Sequence, residues 1–455
     1  MKNFLFKKIE IWIVGLLIIF FIVSIISISG ILRDAYLEKN KSPKFLRNSL
    51  LIISEIPKNI FHSVKYIWGH NIDAPPKLTK HKSKKRFEVF KKKERDALLI
   101  LPRYDHSLGR SIIDVIDLKN FELIHSYKHD IDKMNDQVKF TELFPRLNID
   151  DAPIRFEYRH PLLLDDGSIV SDSDYTPEFK IDLCSNLNWI NDKAIFHHSK
   201  MLDHEENIWV AGQMKNQSNY VNKYQIKNFM DDSIIKINID GKILYKKSII
   251  EILIENKIVP NNFALNSYLS EEKDPIHLND IEPVLTDTQY WKKGDLFLSI
   301  RNQSAIIHYR PATNQVIKYI TGPFAWQHDV DIISEKEISL FNNNNFIVNN
   351  EYSEVLIYNY ETNKFKNVFN DQLQKENFKT FTQGLSHVFN DGALLVEEQN
   401  HGRIILFNNK GEKEWEFVNK DKNGDIGFIS WSRIIEDSFF IKKYKSLVKS
   451  KKCEN

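Results

Sequence analysis

Five histidine positions recur along the chain with a shared phase. His160 precedes the run Leu162-Leu163-Leu164-Asp165-Asp166-Gly167, and His197-His198 precede Met201-Leu202-Asp203. His277 stands in Ile276-His277-Leu278-Asn279-Asp280, His328 in Trp326-Gln327-His328-Asp329, and His387 in Leu385-Ser386-His387-Val388. Each sits at or just before a short apolar run. A single histidine in such a place is more often a hydrogen-bonded loop residue, but the common phase points to convergence. Several imidazoles facing one cavity can transfer protons, bind an anion or act as nucleophiles. His277 and His328 carry the fullest local motifs; His160 and His197 read as scaffold. Nothing matches an i, i+4 histidine pair or a two-His-one-carboxylate pattern on one element, so no metal or other cofactor is expected, although Asp329 lies next to His328. Cys184 and Cys453 are far apart in sequence, show no zinc spacing, and read as free thiols.

The elements that must position these side chains read as strands. Beyond Ala97 the chain consists of short runs rich in β-branched and aromatic residues, separated by Asp-Gly and Asn-Lys-Gly turns, without a sustained helical period. A strand–turn–strand pattern recurs from Ser111, Ser233, Ser304, Glu354 and Gly402, and other strand pairs lie between its copies. The pairs combine into about six four-stranded units, at 97–127, 160–190, 198–249, 277–320, 328–369 and 387–418. The expectation is an all-β fold, a six-bladed β-propeller over 97–435; the alternative is a pair of stacked β-sandwiches. In a propeller the first strand of each blade lines the central channel, which would gather the histidines.

Composition supports a folded protein: 455 residues, 42% apolar and 27% charged, exclude a disordered or fibrous chain. Ile11 to Leu32 contains no charge and, at about 1.5 Å per residue, spans a ~30 Å hydrocarbon core. Residues 1–32 therefore read as an uncleaved transmembrane anchor in preference to a signal peptide. Residues 33–96 read as a basic juxtamembrane stem, with 17 Lys/Arg against 6 Asp/Glu over 33–95; since the whole chain is only +2, the body is acidic. The run Lys80–Arg95, with Phe87 and Phe90 interleaved, reads as a solvated segment against anionic lipid headgroups; no nucleic-acid-binding motif accompanies it. Residues 436–455 read as a Lys-rich tail. Positive charges flank both ends of the span, and their count leans toward a cytoplasmic body.

The segment Pro275–Asn345 resembles the bacterial, nucleotide-independent arylsulfotransferase family. The resemblance rests on His277-Leu278-Asn279-Asp280, on Ser299-Ile300-Arg301-Asn302-Gln303-Ser304-Ala305, on Gln327-His328-Asp329 and on Phe341-Asn342-Asn343. These fall in the order of the family's H-x-N-S/D, S-x-R-x-Q-S-A, Q-H-D and F-D-N-G motifs. A weaker likeness runs from His198 to Trp431-Ser432-Arg433. It implies a six-bladed propeller and transfer of a sulfuryl group from an aryl sulfate donor to a phenolic acceptor through a sulfohistidine. It also implies a body outside the cytoplasm, hence a single-pass inner-membrane protein with a periplasmic body.

Carried over position by position, the resemblance makes His277 and His328 active-site histidines and His387 the candidate nucleophile from a later blade. Arg301, Asn279, Asn342 and His198 are candidate substrate-binding residues. The family places an anion-binding Arg after F-D-N-G; here none occurs before Glu354, and Arg403 is the nearest replacement. No phosphate-cradling glycine loop is present. Two other classes stay open: a non-catalytic envelope-binding propeller, and a sulfate or phosphate ester hydrolase.

Overall fold

The alternating apolar runs pair into antiparallel sheets because each has one face to bury and short turns to reverse the chain. The computed structural model describes residues 10–36, 42–67, 74–91, 94–144, 147, 152–214, 218, 229–258, 274–344, 352–451 and 453. They divide into two compact units, Met1–Ala74 and Pro75–Asn455.

The first unit holds two helices, α1 (Ile11–Tyr36) and α2 (Lys44–Ile67). Within α1, Ile11–Arg33 is long and apolar enough to cross a membrane. Both a membrane span and a signal sequence meet that test.

The second unit is all-β and propeller-like. It opens with β1 (Phe87–Val89), β2 (Leu98–Asp105), β3 (Arg110–Asp117) and β4 (Glu122–Tyr127). Then come β5 (Arg159–Leu163), β6 (Ile169–Asp172), β7 (Thr176–Ile181), β8 (Leu187–Leu202), β9 (Ile208–Gln213), β10 (Asp232–Ile237) and β11 (Ile243–Ser248), all in one seven-stranded sheet. The next four, β12 (Leu278–Pro283), β13 (Leu296–Ile300), β14 (Ala305–Arg310) and β15 (Gln315–Ile320), form a separate sheet. Another comprises β16 (His328–Ile332), β17 (Glu337–Asn342), β18 (Glu354–Asn359) and β19 (Lys364–Asn367). A fifth holds β20 (Leu385–Val388), β21 (Leu394–Glu398), β22 (Arg403–Phe407) and β23 (Lys413–Val418), with β1 added at its edge. Finally β24 (Arg433–Ile435) pairs with β2, Arg433 opposite Ile100, so the last strand completes the sheet begun by β2–β4.

Four sheets thus stand as separate blades, not the six expected. The units expected at 160–190 and 198–249 are continuous, because the 16-residue β8 pairs with β7 near its start and with β9 toward its end. Faces of adjacent sheets bury each other: Phe341 and Val355 pack with Leu394, Val396 and Ile405. Each such fully buried side chain contributes about 1.5–3 kcal/mol. The turn at Asn238–Lys242 shows why the Asp-Gly signal is specific. Gly241 takes φ +79°, and a Cβ there would lie 2.7 Å from the Trp189 ring.

Three expectations are corrected here. The basic run is not a solvated stem. Phe87 pairs with Phe417 and Val89 with Trp415, while Lys84 binds Glu416, Lys91 binds Glu412 and Arg95 binds Glu414. The body's own carboxylates attract it. The tail is not free either: Asp437 caps the helix Ser438–Ser450, which buries Ile441 and Tyr444 beside Tyr127. Nor are the cysteines free. Cys184 and Cys453, 269 residues apart in sequence, are disulfide-bonded with Cα atoms 5.3 Å apart, because ring closure returns the C-terminus to the turn after β7.

Candidate active site

The strands β24, β5, β8, β12, β16 and β20 border one another in that order, and Glu397 on β21, bonded to Trp431 N and Ser432 N just before β24, closes the succession. Their sequence of contacts defines the ring whose two mouths lie at the strand starts and strand ends. At the starting mouth the backbone is distorted in a repeated way. His160, His198, His277, Asp329 and Trp431 all have left-handed φ, between +36° and +60°. The pairing of β5, β8, β12 and β16 with their neighbours slips at these points. Such residues cost of order 1–3 kcal/mol each and persist only where the surroundings hold them.

The holding groups are carboxylates reaching across from adjacent strands. Asp232 accepts from Leu278 N (2.6 Å), Asp280 from Val330 N (2.6 Å) and Asp329 from Ser386 N (2.7 Å). Glu397 accepts from Trp431 N and Ser432 N, both at 2.9 Å. Asn279 donates to Gln327 O at 2.8 Å, and Gln327 in turn donates to Ser299 Oγ and Ala305 O. Much of the His-Leu-Asn-Asp and Gln-His-Asp motifs therefore aims the histidines and does not itself line the mouth.

Three imidazoles converge. The rings of His198 and His277 are 5.0 Å apart, and Trp431 meets His198 at 5.9 Å and His328 at 5.8 Å, edge-on in each case. His160 touches Trp431 at 5.5 Å. His328 Nδ1 lies 2.6 Å from Asn343 Oδ1 and 3.2 Å from Trp326 O. The Asn343 amide donates to Thr380 O and Gln383 O, which fixes its oxygen toward the ring. Both partners of Nδ1 are acceptors, so Nδ1 carries the proton and Nε2 keeps a lone pair. Burial, then the nearby Arg301 charge, holds the His328 pKa well below 6.5, so the ring is neutral.

His277 Nδ1 is 2.5 Å from Asp274 Oδ2. Burial pushes Asp274 up, but the bond and charge of His277 outweigh it and hold that carboxyl below its ordinary range. His197 and His198 share a 2.8 Å contact between their Nδ1 atoms. Burial opposes charge on His197, yet Asp232, Asp174 and Asp172 raise its pKa; His198 is held well below 6.5 by burial and by His197. This assigns the donor role to His197 and leaves the His198 proton on Nε2. Arg301 lies over the Trp326 ring at 4.2 Å, and its Nε has no hydrogen-bond partner.

The remaining expected residues lie elsewhere or are committed. His387 lies deeper along the inner strands, lining a cavity of about 320 Å³ with Glu282, Asp331 and Arg433 that His160 and Asp329 also border, its Nε2 3.2 Å from Glu436. Arg403 is buried against Glu398 (2.7 Å) and Glu376 (3.3 Å), so it does not replace the family's arginine. Asn342 accepts from Ala325 N and Asn344 N and donates to Glu354, leaving it structural. Asn343, Trp431 and Asp274 were not among the expected site residues, although Asn343 and Trp431 stood inside quoted motifs. Among the described residues no three His, Cys, Asp or Glu side chains converge as a metal site.

A propeller-like body with a histidine-lined mouth is the class that fold and site define. The profile of the arylsulfotransferase (ASST) family matches residues 167–420, more than half of the sequence, and the chain belongs to that family. No curated protein matches it significantly. Solved structures are similar at low identity. A Bacteroides caccae protein of unknown function (12% identity, TM-score 0.47) covers 76% of this chain and 100% of its own. TolB from Acinetobacter baumannii (10%, 0.42) covers 87% and 74%, and a catalytically inactive virginiamycin B lyase from Staphylococcus aureus with quinupristin (10%, 0.38) covers 72% and 87%. Likeness at this level carries no argument about function.

Proposed function

We propose that the chain is an aryl-sulfate sulfotransferase with His328 as its nucleophile. The observation that carries this is the His328–Asn343 pair, which leaves a neutral imidazole with its Nε2 lone pair uncommitted near two other histidines and an arginine. In the first half-reaction Nε2 of His328 attacks sulfur and the bond from sulfur to the aryl oxygen breaks. The departing aryloxide takes a proton from Nε2 of His277, whose imidazolium Asp274 stabilises. In the second, a phenolic acceptor returns its proton to His277 and attacks sulfur, and the N–S bond breaks. The Arg301 guanidinium and the His198 Nε2–H stand ready for the sulfuryl oxygens.

The test is release of nitrophenolate from p-nitrophenyl sulfate by the full chain, with and without phenol. Phenol-dependent release, lost in His328→Ala, supports transfer; release that ignores phenol points to a hydrolase. No release or adduct from folded protein favours a non-catalytic binder.

Three finer readings go with this proposal. The seven-stranded sheet acts as two blades sharing β8, giving six inner strands around the channel. The N-terminal helix anchors the chain in the inner membrane, with basic residues beside the span, such as Lys44 and Arg47, meeting anionic lipid. The body is periplasmic; the Cys184–Cys453 disulfide supports an oxidising compartment, against the charge count flanking the span.

A further inference from the structure

Away from the histidine mouth, a cavity of about 390 Å³ opens between β1 on one sheet and β3–β4 on the next. Its walls are apolar, with Phe87, Phe121 and Phe417 beside Ile112 and Ile116. Phe87 and Phe121 are in ring contact at 4.2 Å, so β1 builds one side of the space. Leu108 and Leu123, also in the lining, are 46% and 58% exposed, an apolar rim that solvent alone does not explain. The volume lies within the range of small-molecule sites.

The charges at this cavity are unbalanced in one direction. The basic residues around Arg86 are paired with body carboxylates: Lys80 with Glu398, Lys84 with Glu416, Lys91 with Glu412 and Arg95 with Glu414. Arg86 and Lys128, both lining the cavity, make no ion pair among the described residues. The single carboxylate in the lining, Asp114, is bonded to Arg103 and Ser126. Arg103 is spent on Asp114 and Asp105. Two unspent cations therefore border an aromatic and aliphatic pocket, which is the complement of an anionic head on an apolar body.

We propose that this cleft binds an organic anion whose apolar part is about the size of a naphthalene ring or an eight-carbon chain. Arg86 and Lys128 hold the anionic group, and the phenylalanines take the body. The site is separate from the histidine mouth, and the proposal does not depend on sulfuryl transfer there.

The test is calorimetric titration of the full chain in phosphatidylcholine nanodiscs with 2-naphthoate, octanoate and octylammonium. The same is done for Arg86→Gln/Lys128→Gln and for His328→Ala. Wild type and His328→Ala are expected to bind at least one anion saturably, and the double variant roughly tenfold more weakly at unchanged Tm. Whether the aryl or the acyl anion binds identifies the source of the natural ligand. Equal binding by wild type and the double variant, equal binding of octylammonium, loss of binding in His328→Ala, or no saturable binding would each overturn the proposal.

Discussion

At His328 one neighbour fixes both tautomer and orientation, because Asn343 can present only its oxygen. Asn343→Ala is therefore expected to lower kcat by on the order of 10²–10⁴ while changing KM little, as when the residue orienting a catalytic histidine is lost. Steady-state kinetics on p-nitrophenyl sulfate checks this; a change confined to KM would make Asn343 a binding residue. The depressed pKa of His328 also sets a pH dependence. A base held well below 6.5 stays unprotonated as pH falls through 6.5, so the acid limb of adduct formation should lie below that value. A limb at or above 6.5 in a pH series of single-turnover experiments would show that burial does not tune this ring. The histidine types and their phase were legible in sequence, but the residue that orients His328 was not. Asn342 and Asn343 are adjacent and chemically identical, and only the direction each side chain takes in three dimensions separates scaffold from site.

Among the elements, depth along the inner strands decides which histidines meet. His277 and His328 stand at the starts of β12 and β16, whereas β20 starts at Leu385 and places His387 two residues, about 7 Å, further along. A one-dimensional phase that puts each histidine at or just before a strand does not resolve that step. β1 escaped sequence reading for a different reason: it is three residues long inside a basic run, and its partner β23 lies more than 300 residues away. The disulfide was hidden in the same way, since ring closure alone brings Cys453 to Cys184. It should contribute about 2–5 kcal/mol. Cys184→Ser/Cys453→Ser is expected to unfold at correspondingly lower denaturant, and a reductant should lower the wild-type Tm but not the variant's. An unchanged midpoint would mean that the helix Ser438–Ser450 is held by Ile441 and Tyr444 alone.

Across the body, the carboxylates that staple one sheet to the next are buried, and their protonation couples to the stability of the ring. Burial, then Asp331, raises the Asp280 pKa to about 7. A carboxyl raised in the folded state contributes stability that is fully present below its unfolded value near 4 and is lost as pH climbs through 7. The Tm should therefore fall between about pH 4 and 7 and level off above, and Asp280→Asn should flatten that slope. A Tm rising over the same interval in both proteins would show other groups in control. Ring closure by β24 also carries Trp431 to three of the histidines, so the last strand completes the fold and the site together.

The most direct test of the central claim is the covalent state of the protein after p-nitrophenyl sulfate is added in the absence of acceptor. Intact mass and peptide mapping are expected to show one added sulfuryl group on His328, discharged by phenol and absent in His328→Ala. A sulfuryl group mapped to another histidine, or turnover without any adduct, would contradict the assignment of His328 as nucleophile.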